Sequence, residues 1–183
     1  GSRELLQLGA ELFGHPGPES DIEIARLMLT ALASAGLRHL HLDLGHVGVF
    51  RALAAEAGLP EEIEGDLFEA LQRKARSQVE ALLARSTAPA GIKAMLAALA
   101  DLNGGAETLI QARALLKGAP RAVQDALENL ESVANGVMHL GAPVYFDLAE
   151  LRGYRYYTGV VFSAFVPGQG QAVAQGGRYD GIG

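Results

Sequence analysis

From Pro60 to His139 the sequence shows no strand-like alternation, and Ala, Leu, Glu and Arg dominate. Apolar residues recur there at helical spacing, which predicts four or five helices. Breaks fall near Thr87–Pro89, Asn103–Gly105 and Lys117–Pro120, where Pro, Gly and Asn interrupt the pattern. Both flanks carry strand-like segments instead: Leu5–Phe13 and Leu37–Leu44 before the block, Val144–Leu148 and Arg155–Val166 after it. Helix–strand succession in the first flank suggests an α/β or α+β layer. The helical block reads as an insertion over 60–139 in a core made of 1–59 and 140–183.

The flanks can be read further. Within Leu5–Phe13, period two puts Gln7, Gly9 and Glu11 on one face and Leu6, Leu8, Ala10 and Leu12 on the other. Gly14–Pro18 is a loop, and Ser20 with Glu23 has the form of a capping box opening a helix over Asp21–Ser34. Gly36 is its expected stop. A second helix is expected from Val47 to Ala57, ending at Gly58. Beyond the helical block, turns at Ala149–Gly153 and Pro167–Gly170, and a strand at Gln171–Gln175, predict an antiparallel meander. The sequence stops at Gly183 just after a glycine-rich turn, which reads as a fold lacking a C-terminal part.

At 49% hydrophobic and 20% charged over 183 residues, the chain has material for a sizeable core. It has no cysteine, which excludes disulfides and thiolate metal sites and fits a cytoplasmic protein. No apolar run is long enough to span a membrane. The net charge is −6 and basic residues are scattered, a poor match to the basic patch that nucleic acid binding requires.

Three groups of residues suit a small charged ligand. Gln7 and Glu11 pair an amide with a carboxylate on one strand face, which could hold an ammonium group. Arg152, Tyr156 and Tyr157 combine a guanidinium fork with phenols among glycines. Strict alternation separates Arg152 from Tyr157, so both reach one pocket only if Gly153 marks a bulge or turn. Gly176-Gly-Arg178-Tyr179-Asp180 could present backbone donors and a cation to an anion. The same three patterns also describe a solvated strand face, tyrosines packed on a sheet and a hairpin turn, so spacing alone assigns no ligand. His39, His41 and Asp43 would line one strand face as a partial metal set, with nothing evident to complete it.

Four motifs in order resemble the histidyl-tRNA synthetase catalytic fold. They are Gln7-Leu-Gly-Ala-Glu11-Leu-Phe-Gly14, Leu44-Gly-His-Val-Gly-Val-Phe-Arg51, Arg152-Gly-Tyr-Arg-Tyr-Tyr157-Thr-Gly and Gly176-Gly-Arg-Tyr-Asp-Gly181. The second precedes, and the third follows, the helical block. Within that superfamily, Phe146-Asp-Leu-Ala-Glu-Leu-Arg-Gly-Tyr154, with Tyr-Tyr-Thr-Gly-Val-Val-Phe162, most resembles the ATP phosphoribosyltransferase regulatory subunits. Synthetases carry Leu-Asp where this chain has Tyr154-Arg155, and an arginine in place of an acid reverses a local charge.

The resemblance implies an α+β fold, a class II synthetase-like antiparallel sheet flanked by helices with an all-helical insertion, with parts of the fold before Gly1 and after Gly183 missing. It implies a histidine pocket lined by Gln7, Glu11, Arg152, Tyr157 and Tyr179, with Tyr156 and Arg178 as neighbours. It further implies a non-catalytic regulatory subunit of histidine biosynthesis, without cofactor or metal. Such a subunit partners the short-form catalytic ATP phosphoribosyltransferase, within a homodimer and a hetero-oligomer, and transmits feedback by histidine. The alternative is the catalytic core of a histidyl-tRNA synthetase, activating histidine with ATP.

Overall fold

The computed structural model of the chain describes residues 7–181. Helices α1 (Pro18–Ser34), α2 (Val47–Ala57), α3 (Glu61–Gln72), α4 (Arg76–Ala84), α5 (Ala90–Ala98), α6 (Glu107–Leu115) and α7 (Arg121–Val137) accompany one mixed sheet. Its strands are β1 (His41–His46), β2 (Asn103–Gly104), β3 (Val144–Asp147), β4 (Val160–Phe165) and β5 (Ala174–Gly177), in the order β2-β3-β1-β4-β5. The fold is α+β, as the resemblance implies.

Sheet register follows side-chain chemistry. Leu42 faces Val144 and Ala164, while Leu44 faces Phe146 and Phe162, so the apolar positions of β1, β3 and β4 gather on one face. Helices α1, α2 and α7 cover that face. Helix α7 shows why: Val123, Ala126, Leu127, Leu130, Val133 and Val137 recur every three or four positions, and all are buried. The opposite face carries His41, Asp43, Tyr145, Ser163 and Gln175 and has no helix layer among the described residues.

Several local expectations hold. Helix α2 spans Val47–Ala57 and stops at Gly58, and α1 stops at Ala35-Gly36. There the Gly36 and Leu37 amides donate to Ala33 O (3.0 Å) and Leu32 O (3.1 Å), closing the helix end with a paired-amide cap. Segment 60–139 forms five helices, and it also supplies β2 and the sheet-covering helix α7.

Other expectations are corrected. Helix α1 begins at Pro18, not Asp21, because proline's fixed φ suits the first helical position and its missing N–H costs nothing there. Ser20 is therefore inside the helix. Its hydroxyl donates back to Gly17 O (2.8 Å) and His15 O (3.0 Å) rather than capping. The C-terminal strands do not form a simple meander. β1 lies between β3 and β4, parallel to the first and antiparallel to the second. The strand expected over Arg155–Val166 starts only at Val160, since residues 152–156 form turns. The last strand starts at Ala174 rather than Gln171.

The expected strand Leu5–Phe13 is not a strand over residues 7–13, and its first two residues lie outside those described. No described strand pairs with it, so its alternation has no sheet to act on. Leu8, on the expected core face, is 92% exposed. His39 precedes β1 with φ +56°, so it does not share a strand face with His41 and Asp43. Among the described residues, no three His, Cys, Asp or Glu side chains gather as a metal set.

Candidate functional site

The candidate residues fall around two neighbouring hollows that share Phe162 as a wall. The first, about 330 Å³, lies between the 10–16 coil, the start of α1 and the segment after β5; Glu11, Arg178 and Tyr179 line it. The second, about 220 Å³, lies on the open face of the sheet and is lined by Arg152, Tyr156, Tyr157, Glu150 and Gln175. Tyr156 and Tyr179 join the two, with ring centroids 4.9 Å apart. Gln7 is exposed and lines neither.

Arg152 and Tyr157 reach the same hollow because Gly153 makes the turn on which the sequence argument depended. Its φ of +68° is cheap only for glycine. Both the Tyr156 and the Tyr157 amides donate to Gly153 O, at 2.7 and 2.8 Å. The Tyr157 ring then packs over Gly153 and Gly177, occupying the space a Cβ would need at either. Arg152 donates to Gln175 Oε1 at 3.0 Å and lies 3.5 Å from Glu150 Oε2. Desolvation raises the Tyr157 phenol above its ordinary value, so it is a neutral hydroxyl at physiological pH. Tyr179 is pushed up to about 12, by desolvation first and then by the Glu11 carboxylate, so it too stays protonated.

Arg178 is committed elsewhere. Its side chain is 15% exposed and pairs with Asp21 at 3.0 Å, while a second nitrogen donates to Gly17 O and Ser20 Oγ, each at 2.8 Å. Its stem packs over Gly159. It therefore ties the end of β5 to the start of α1 and sets the position of Tyr179, with few donors left for a ligand. Asp21 accepts from Asn129 as well, at 3.4 Å. Burial raises the Asp21 carboxyl despite the opposing pull of Arg178, and Arg178 is the largest of the lowering influences.

Sequence reasoning missed three residues that build this region. Asp21 is one; an acid in the first turn of a helix gives no sign of a partner beyond β5. His46 is another. Its Nδ1 accepts from the Gly48 amide at 3.1 Å and caps α2, and desolvation with nearby Arg178 pushes it down to about 4. Phe13 is the third, 67% exposed yet set edge-on to Tyr179 with centroids 6.3 Å apart.

The first hollow carries Glu11 and Tyr179, and the second carries Arg152, Tyr156 and Tyr157. A profile of the Histidyl-tRNA synthetase family matches residues 1–183. The chain belongs to the histidyl-tRNA synthetase family. Among its curated relatives, an ATP phosphoribosyltransferase regulatory subunit of Pseudomonas aeruginosa (strain LESB58) is 56% identical over all of this chain and 46% of its own length. The protein of the same description from Chromohalobacter salexigens is 53% identical over all of this chain and 47% of its own length. The chain thus spans about half the length of the curated relatives it matches. A crystal structure described as an ATP phosphoribosyltransferase regulatory subunit/histidyl-tRNA synthetase from Bacillus halodurans superposes with a TM-score of 0.77 at 30% identity. That match covers 91% of this chain and 44% of the other. Arg152, Gly153, Tyr156, Tyr157 and Gly176 line the second hollow, and Gly177–Gly181 line the first.

Proposed function

We propose that this chain is the core part of an ATP phosphoribosyltransferase regulatory subunit, with no catalytic role of its own. The observation that carries the reading is the identity of 53–56% across the whole chain to proteins of that description. In this reading the full-length protein binds the short-form catalytic subunit in the cytoplasm, is required for its activity, and conveys inhibition by histidine. Feedback of this kind requires histidine to bind the active and inhibited assemblies with different affinity.

The proposed histidine site is the pair of hollows. Arg152 supplies a fork for the carboxylate, Glu11 an acceptor for the ammonium, and Tyr156, Tyr157 and Tyr179 hydroxyls and faces for the imidazole. The neutral state of Tyr157 and Tyr179 supports this, since a protonated phenol donates to a neutral ring nitrogen.

The test is reconstitution. The short catalytic subunit should be inactive alone, active with the full-length protein, and inhibited when histidine is added. Histidine-stimulated ATP–pyrophosphate exchange by the full-length protein without the catalytic subunit would overturn the non-catalytic reading.

A further inference from the structure

The turn that carries Arg152, Tyr156 and Tyr157 is held from behind by the residue between them. Tyr154 points away from the hollow, into the seam between α2 and α3. Its ring meets Phe50 (centroids 5.4 Å apart) and Phe68 (5.3 Å). The Arg51 guanidinium lies 4.8 Å from its ring centroid and donates to its backbone carbonyl. Its hydroxyl donates to Glu64 of α3. Burial raises the Tyr154 phenol to about 12, and Glu64 adds to the shift, so the hydroxyl keeps its proton for that bond.

Everything the turn offers to a ligand lies within three positions of this anchor. Tyr154 N donates to Leu151 O at 2.9 Å, closing the turn on the Arg152 side. Tyr156 and Tyr157 follow on the other side, so a shift of Tyr154 displaces all three ligand-facing side chains together. We propose that Tyr154, gripped by Arg51 and Glu64, is the positioning residue of the ligand turn and couples the hollow to α3. The inference rests on the reading of Arg152, Tyr156 and Tyr157 as a wall of the histidine site. Movement of α3 would then alter ligand affinity through Glu64, and ligand would stiffen the α3 junction by the same linkage.

The experiment is histidine titration calorimetry on the full-length protein. Tyr154→Phe keeps the ring and removes only the hydroxyl; Glu64→Ala removes its acceptor. Each should weaken histidine binding about tenfold, and the double variant should be no weaker than either single. Glu64→Gln keeps an acceptor oxygen and should stay within about twofold of wild type. A merely structural role would lower thermal stability while leaving the affinity of the folded protein unchanged. Arg152→Ala separates the layers of the argument. If it binds histidine as wild type does, the ligand reading falls. If it loses binding while Tyr154→Phe and Glu64→Ala keep wild-type affinity, the reading stands and the positioning role is overturned. Should Tyr154→Phe fail to fold, the two Glu64 variants decide: equal affinity in both overturns the proposal.

Discussion

Substituting His46 should change how the protein responds to acid far more than how it behaves at neutral pH. Its Nδ1 accepts the Gly48 amide, so the ring is neutral with the proton on Nε2. Protonation would turn Nδ1 into a donor facing another donor, beside the Arg178 cation and away from water. These are the reasons its value falls from 6.5 to about 4. The folded-state value is depressed, so the unfolded chain binds the proton more readily between those limits. The stability that a neutral His46 contributes is therefore present above pH 6.5 and lost as pH falls toward 4. Integrated from pH 7 to pH 5, the loss is about 2 kcal/mol. A urea slope of about 2 kcal/mol/M converts this to a midpoint lower by about 1 M.

The matched variant is His46→Asn, which can still cap α2 but does not titrate. Far-ultraviolet circular dichroism during urea unfolding at pH 7 and pH 5 gives the comparison. Wild type should lose about 2 kcal/mol more than the variant between the two pH values. Asp21, whose carboxyl is raised, acts in the opposite sense: it favours the folded state below the ordinary carboxylate value and loses that contribution as pH rises. It is common to both proteins and cancels. Parallel pH dependence in wild type and His46→Asn would refute the argument.

Four further outcomes follow from the packing. Asp21→Ala leaves the Arg178 cation in a mostly buried site and should cost about 3 kcal/mol, read as a lower thermal midpoint. Asp21→Leu combined with Arg178→Met should be less damaging than either single change, because no buried charge is left alone. Phe50→Ala empties a fully buried ring site under Tyr154 and should cost about 3–5 kcal/mol in urea unfolding. Gly45→Ala would place a Cβ 2.8 Å from Asp147 O and 2.9 Å from the Glu150 Cβ, and should destabilise by about 1–3 kcal/mol in the same assay.

What could be read from the sequence was what short-range physics determines. Val47–Ala57 was legible because apolar spacing, length and Gly58 agree, and the breaks near Thr87–Pro89 and Lys117–Pro120 separate real helices. Period two in Leu5–Phe13 misled, since alternation states which face would be buried but not whether a partner strand exists. The order of the last strands was hidden for a related reason. A short 148–159 connection permits a hairpin, but β1 offers Leu42 and Leu44 to both β3 and β4 and takes the place between them. At the candidate site Arg152, Tyr156 and Tyr157 come to one hollow because Gly153 supplies the turn that alternation alone forbids. The commitment of Arg178 to Asp21 was beyond reach. The partners are 157 positions apart, and nothing in either neighbourhood marks the other.

The central position of β1 has a consequence for how the chain acquires its shape. Its hydrogen-bonding partners, β3 and β4, are separated from it in sequence by the whole of α2 to α7. Helices can form locally and early, yet the sheet cannot close until that entire length has collapsed. The entropy of bringing the strands together comes before any reward from pairing. A ribosome would expose β1, with both edges unsatisfied, for the time needed to synthesise everything between it and β3. The buried face of α7, already amphipathic when it emerges, is the surface against which Leu42 and Leu44 can wait.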